Sequence, residues 1–238
     1  MKRQFNYFTR PILLHNLFMA LDVFDKEHTM KNTKQKCFWE QQDLDVQSMM
    51  LNNDIDPDFE EKERNEIIGY LPDLTGQRIL EPAAGIGRFT AYFATLAAQV
   101  TAQDFVQEFV DKNKALCAGQ PHLWHACNDI MEAEFDPASF DHIFINWLLM
   151  YLQDEDLPAL AQRLHSWLSP GGTMFLRESC ISSSNPNAPH PCTHYRNPEV
   201  YEQLFADSFT ITRKGNVKIY EQQYNNPNQR WWLFTKKS

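Results

Sequence analysis

Three acids, Glu81, Asp104 and Asp129, each stand at the end of a short run that reads as a strand. The first is followed at once by Pro82, Ala83, Ala84, Gly85, Ile86 and Gly87. Carboxylates at such positions accept hydrogen bonds from the hydroxyls and amines of a nucleotide-type ligand, and small residues let the backbone come close to it. The order here is acid first and then a shortened glycine loop, rather than G-x-G-x-x-G. It leaves little room for a pyrophosphate and suits S-adenosylmethionine (SAM), a nucleoside sulfonium that has none. The N–H groups at the start of a following helix add attraction for a carboxylate. The bland alternative is an ordinary glycine-rich turn between strand and helix, so the surrounding elements have to decide. Asp104 lies about 20 residues beyond the loop, the spacing of a ribose ligand, with Phe105 beside it. Asn128, Asp129 and Ile130 follow a third run, where Asp129 is placed to accept from an exocyclic amine. The predicted cofactor shell is Glu81, Ala83, Gly85, Gly87, Asp104, Phe105, Asn128, Asp129, Ile130 and Asn146, with Trp39 reaching in from the N-terminal side.

The acceptor side offers three segments. Asn146-Trp147-Leu148-Leu149-Met150-Tyr151-Leu152 follows an apolar run, at the position where a transferred methyl group belongs. Trp147 and Tyr151 are its candidate catalytic residues, whereas Leu148 and Leu149 read as packing. Cys37-Phe38-Trp39-Glu40, followed by Met49 and Met50, can place aromatic rings and thioethers beside a sulfonium; the same residues serve equally well as the apolar interior of a lid. Thr193-His194-Tyr195-Arg196, with Tyr201 beyond, can hold a phosphate, since Arg binds it bidentately and Tyr adds a neutral donor. An Arg that merely covers its own loop is the alternative. Lys218 and Tyr220 are weaker candidates of the same kind.

The elements needed to position these residues can be read around them. Strands are predicted at Ile79–Glu81, 99–105, Leu123–Cys127, Asp141–Trp147 and Thr173–Arg177, and a final pair near 209–217 and 230–235. The run at 141–147 is nearly all apolar, as a strand buried on both faces requires. Helices are predicted at 89–96 (the pattern opening at Arg88), 107–116, 154–168 capped by Asp154 and stopped by Ser169-Pro170-Gly171-Gly172, and 198–205. Alternating β and α units closed by a β pair make one α/β domain. The expectation is a Rossmann-like, seven-stranded sheet, mostly parallel with an antiparallel C-terminal strand, and an N-terminal helical lid. The lid occupies 35–70 and the core 71–238.

Composition narrows the partners. A chain of 238 residues with a net charge of −9 is a poor match for nucleic acid or an anionic membrane, and no basic run rises above a solvated surface. Five cysteines, an odd number without C-x-x-C, fit free thiols in a reducing cytoplasm, and the eight histidines show no metal-binding spacing. Lys2, Arg3 and the apolar patch 11–21 invite a signal-peptide reading. His15 and Asn16 interrupt it, however, and Asp22, Asp25 and Glu27 stand where a cleavage site should be. Residues 1–34 are expected to be a poorly ordered extension, with Met30 as an alternative start. The patch is too short to span a bilayer, and the expected state is a monomer.

With these residues placed, the chain from about Gln35 to Lys237 resembles the phosphoethanolamine N-methyltransferases, in particular the first methyltransferase half of the plant and nematode enzymes. The resemblance rests on Gln-Lys-Cys-Phe-Trp (35–39), Val-Gln-Ser-Met-Met-Leu (46–51), Glu-Lys-Glu-Arg (61–64) and Gly-Ile-Gly-Arg-Phe-Thr (85–90). It continues through Asn-Trp-Leu-Leu-Met-Tyr-Leu (146–152), Arg-Glu-Ser-Cys (177–180), Thr-His-Tyr-Arg (193–196) and Asn-Gln-Arg-Trp-Trp (228–232). It implies SAM-dependent methylation of the amine of phosphoethanolamine, towards phosphocholine, with Tyr195 and Arg196 at the phosphate. Three departures stand out. Phe38 takes the place of a tyrosine that the family uses as a catalytic partner or latch, and Tyr151 stands where the single-domain parasite enzymes carry the paired histidine. Glu-Pro-Ala-Ala replaces the more usual Glu-Leu-Gly-Ala. There is one methyltransferase unit instead of two. Two other readings stay open on these grounds: methylation of another small amine or a protein α-amine, and a non-catalytic SAM-binding regulatory protein.

Overall fold

The computed structural model describes residues 34–51, 57–183 and 192–238. The extension expected over 1–34, Met30 included, lies outside them except for Lys34, which opens the first helix, and so do residues 184–191. Within the described residues the elements are α1 (34–39), α2 (Val46–Met49), α3 (Pro57–Ile68), β1 (Arg78–Pro82), α4 (Thr90–Phe93), β2 (Gln99–Asp104), α5 (Gln107–Leu116), β3 (Leu123–Cys127) and β4 (Phe140–Asn146). A 3-10 turn (Leu149–Tyr151), α6 (Leu157–Trp167), β5 (Leu168–Ser179), α7 (Pro198–Phe205), β6 (Phe209–Asn216), α8 (Lys218–Tyr224) and β7 (Gln229–Lys236) follow.

The strands form one seven-stranded sheet in the order β3-β2-β1-β4-β5-β7-β6, parallel except that β7 runs antiparallel to both of its neighbours. Alternation along each strand decides which face a side chain covers. Leu80, Ile143, Ile145, Leu176, Trp232 and Phe234 pack with α6 and α7 on one face. Ile79, Phe144, Phe175, Trp231 and Leu233 pack with α3, α4 and α8 on the other. On that second face, stacked rings cross the sheet: Phe144 on Phe175 at 5.3 Å, Phe175 on Trp231 at 6.0 Å, and Trp231 on Tyr70 at 4.2 Å. Each fully buried ring of this kind contributes roughly 2–3 kcal/mol by leaving water.

Several elements differ from the sequence expectation, each for a local reason. The helix expected over 89–96 is a single turn, Thr90–Phe93, because Thr90 turns inward to bond Glu81 and Arg88 is drawn to α3. The helix expected from 154 begins at Leu157, and Asp154 pairs with Arg196 instead of capping it. Helix α8 was hidden in what reads as a strand connection. Its first N–H groups, from Lys218 and Ile219, are taken by the Glu66 carboxylate of α3 at 2.6 and 2.9 Å, a cap that no local pattern announces.

Candidate active site

β1 and β4 are adjacent at the point where the strand order reverses, and a crevice opens there at the strand C-termini. It is lined by Glu81, Ala83, Gly85, Asp104, Phe105, Asp129, Ile130 and Asn146. Trp147 and Tyr151 form its far wall, and Trp39 and Met49 close it from the lid. Thus nine of the eleven proposed cofactor residues face one space, together with both proposed catalytic ones.

Gly87 and Asn128 do not face it. A Cβ on Gly87 would lie 2.9 Å from the Asn113 side chain, so this glycine makes room for Asn113 rather than for a ligand. Asn113 donates to the Thr90 hydroxyl at 2.9 Å, and Thr90 donates to Glu81 at 2.6 Å. Gly87 therefore supports the cleft at two removes. Asn128 contributes main chain: its N–H bonds the Asp104 carbonyl at 3.1 Å, and its carbonyl accepts from the Gln103 amide.

Pro82 ends β1. Pairing with β4 stops at Leu80, so its missing N–H leaves that ladder intact. Ala83, directly after it, has φ +53°, a left-handed conformation that favours glycine, and this is the physical reason a glycine is more usual there. The Gly85 N–H does not point at a ligand. It donates to Asp104 Oδ2 at 2.9 Å, while Val106 N–H donates to Oδ1 at 3.0 Å. The β2-tip carboxylate is thereby fixed, with a lone pair on each oxygen left for ligand hydroxyls. Burial, reinforced by the nearby Asp104 charge, lifts Glu81 to about 8 against the Thr90 bond. Burial lifts Asp104 to about 6 against its backbone bonds. Desolvated carboxyls of this kind gain when donors from a ligand replace lost water.

On the acceptor side Trp147 has φ +60°, an uncommon conformation for a bulky residue, held from three sides. Its N–H bonds the Arg177 carbonyl at 2.9 Å and its indole N–H bonds Gln229 at 3.0 Å. The Arg177 guanidinium lies 3.6 Å from the ring centroid. Tyr151 meets the Trp39 ring edge-on at 5.6 Å. Burial, with Glu178 and Tyr195 close by, keeps the Tyr151 phenol protonated well above its ordinary range.

The six proposed substrate residues are placed differently. All the guanidinium nitrogens of Arg196 are engaged: Nε bonds Asp154 at 2.7 Å, Nη1 the Leu149 carbonyl at 2.7 Å, and Nη2 the Leu152 carbonyl at 2.6 Å. This is the loop-covering alternative. Tyr195 is half-buried near Tyr151. Tyr201 is fully buried in the core behind them. Phe38 packs edge-on against Trp39 at 5.4 Å, in the lid and off the cleft lining. Lys218 is exposed at the start of α8. Tyr220 is buried under α3, edge-on to Phe59 at 5.1 Å. None of the six lines the cleft.

A buried charge relay was not legible beforehand. Glu63 of α3 accepts from Arg88 at 2.7 Å and forms an ion pair with Arg177 at 2.9 Å, and Arg177 donates to Asn146 at 2.9 Å. Glu63 and Arg177 are fully buried. The relay ties the lid to both walls of the cleft; its members fall in four of the family segments, 61–64, 85–90, 146–152 and 177–180, but nothing in the sequence joins them.

The chain matches the model of a methyltransferase domain over residues 79–172. It is 36% identical over 219 residues to a wheat (Triticum aestivum) phosphoethanolamine N-methyltransferase, covering 85% of this chain and 43% of that protein. It is 30% identical to phosphoethanolamine N-methyltransferase 1 of Caenorhabditis elegans, covering 90% of this chain and 50% of that one. Haemonchus contortus phosphoethanolamine N-methyltransferase 1, solved with phosphoethanolamine and S-adenosylhomocysteine, superposes with a TM-score of 0.80 at 29% identity, over 88% of this chain and 48% of that one. The chain thus spans about half the length of the curated relatives it matches. An acid-lined cleft at the switch point of a class I methyltransferase sheet, and phosphoethanolamine N-methyltransferases matching 85% and 90% of its length at 30% identity or more, lead to one assignment: the chain belongs to the phosphoethanolamine N-methyltransferase family of SAM-dependent methyltransferases.

Proposed function

We propose that this chain transfers a methyl group from SAM to the amine of phosphoethanolamine or a closely related small phosphoamine. The observation that carries the reading is the meeting of two half-sites in one cleft: Asp104 and Asp129 on one side, Trp147 and Tyr151 on the other. The relatives' names and the nematode complex support phosphoethanolamine as the acceptor.

The lining fits the cofactor, since fixed and desolvated carboxyls await donors. Asp104 would accept from the ribose hydroxyls and Asp129 from the exocyclic amine, with Ala83 and Gly85 giving the backbone close approach and Trp39 covering the site. SAM, when bound, supplies an electrophilic methyl group. The acceptor's ammonium, with an ordinary pKa near 10, must lose a proton before it can attack. Phe38 has no hydroxyl, so no Tyr–His pair operates. Tyr151 stays a neutral phenol, and its oxygen accepts from the amine and orients the lone pair towards the methyl. Turnover should therefore rise with pH between about 7 and 9, as the free amine becomes available. Alignment and exclusion of water by Trp39, Trp147 and Tyr151 supply much of the acceleration. Tyr195, close to Tyr151 though outside the cleft lining, is the residue we assign to donate a hydrogen bond to the phosphate; Arg196 holds the segment beside it.

Among the described residues no helix is long and apolar enough to cross a membrane. Free thiols at all five cysteines and the net charge of −9 support action in the cytoplasm as a monomer, without nucleic acid. The test is a panel of ethanolamine, phosphoethanolamine and phospho-monomethylethanolamine with SAM, read by mass spectrometry. Methylated phosphoethanolamine is the expected product, and none above a no-enzyme control would overturn the substrate assignment.

A further inference from the structure

Arg177 and Glu178 are consecutive on β5 and so point to opposite faces of the sheet. Arg177 holds Asn146 and the Trp147 ring. Glu178, fully buried, turns the other way and accepts three successive main-chain N–H groups. Its Oε1 takes Leu148 at 3.2 Å and Leu149 at 2.7 Å, and its Oε2 takes Met150 at 3.2 Å. These donors open the 3-10 turn Leu149–Tyr151, which has no side-chain cap of its own. Glu178 does from another strand what a local N-cap does elsewhere. The carbonyls of the same segment are held as well. Arg196 takes Leu149 and Leu152, and His194 N–H takes Met150 at 2.7 Å. An anion grips the N–H groups and a cation the carbonyls, and the two side chains that wall the cleft, Trp147 and Tyr151, flank the gripped residues.

We propose that ionised Glu178 is a positioning residue for the reaction, setting Trp147 and Tyr151 through the three N–H groups between them, and that its protonation releases this grip. The link to methyl transfer rests on the function proposed above; the grip itself does not. A proton on Oε2 would face the Met150 N–H donor to donor, and a neutral carboxyl is a weaker acceptor for the other two. Burial lifts Glu178 to about 7 against the three N–H groups and Arg196, so the change falls near neutrality. The groups around it are Arg196, Tyr151, Tyr201 of α7, Cys180 and, across the ladder on β7, Arg230. Burial holds the two phenols neutral and pushes the Cys180 thiol up to about 12. His194, whose imidazole meets Gln153 at 3.0 Å, is the neighbour that a control must address.

Amide hydrogen exchange resolved by NMR tests this, comparing wild type, Glu178→Gln and His194→Gln at about pH 6 and about pH 8.5, corrected for the intrinsic rate. Protection at Leu148, Leu149 and Met150 should fall about tenfold or more on acidification in wild type and His194→Gln. It should be low at both pH values in Glu178→Gln, with Phe144 and Leu176 unchanged. Constant protection in wild type, protection retained in Glu178→Gln, or a loss that disappears with His194→Gln would overturn the proposal. If Glu178→Gln does not fold, the wild-type pH series still decides. In turnover, Glu178→Gln should lose about tenfold in kcat with acceptor KM within about threefold. A wild type that forms no product overturns the substrate assignment alone, because the exchange result judges the grip separately.

Discussion

The two walls of the cleft use charge in opposite ways. On the donor wall, Glu81, Asp104 and Asp129 reach the open space, and main-chain N–H groups hold the Asp104 carboxylate in place for a ligand. On the acceptor wall, Arg177, Glu178 and Arg196 are consumed by the protein, fixing the 146–152 segment, and aromatic rings are what face the cleft. One wall recognises by its own polar atoms, and the other spends its polar atoms on geometry. The methyl donor is the ligand the fold reads directly, whereas the acceptor depends on how accurately an aromatic corner is held.

Glu63 joins the two walls, and breaking it should have the largest effect. Glu63→Ala leaves Arg177 without a carboxylate in a buried site and Arg88 with Glu60 alone, and should cost about 3–5 kcal/mol in urea unfolding. Arg196→Ala asks whether the acceptor wall is structural. Leaving the Leu152 carbonyl without its guanidinium donor, and the Leu149 carbonyl with only the Leu152 N–H, should cost about 2–3 kcal/mol and lower kcat. A rise in acceptor KM with stability unchanged would instead make Arg196 a phosphate ligand.

The buried carboxyls give both walls a pH signature. Glu81 at about 8 and Glu178 at about 7 bind protons more tightly folded than unfolded. Their contribution is full below the ordinary carboxyl range and is lost as pH rises through 7 and 8. His142, held down to about 3 by burial, acts in the other sense, but only below its unfolded value of 6.5. Between about pH 6.5 and about pH 8 the ligand-free protein should lose stability on the order of 2 kcal/mol, and Glu81→Gln should remove most of that loss. The smallest effect belongs to the turn itself. Ala83→Gly relieves the positive φ against a more flexible unfolded chain, and should gain about 0.5–1 kcal/mol by thermal unfolding.

The lining of the donor wall was readable from sequence because its carboxyls are tied to strand ends. Glu81, Asp104 and Asp129 each follow a short apolar or mixed run, and strand termini fix where such residues point. Helix α5 and strand β3 fall at their expected bounds for the same reason, since period and flanking residues agree. Gly87 lies off the cleft: a glycine that makes room for Asn113 looks the same in sequence as one that faces a ligand. The acceptor wall resisted because its logic is long-range. Glu178 reaches 28–30 residues back to its three N–H groups, and Arg196 reaches 42–47 back to its partners. An Arg beside a Tyr has the right chemistry for phosphate, but only the fold shows that the guanidinium is already engaged.

The most direct test of the donor wall as a SAM site is calorimetric titration of SAM into wild type and Asp104→Ala. One site per chain is expected in wild type, with affinity about 30-fold weaker in the variant from loss of hydrogen bonds to a charged acceptor. No binding to folded wild type, or equal affinity in the two proteins, would contradict it.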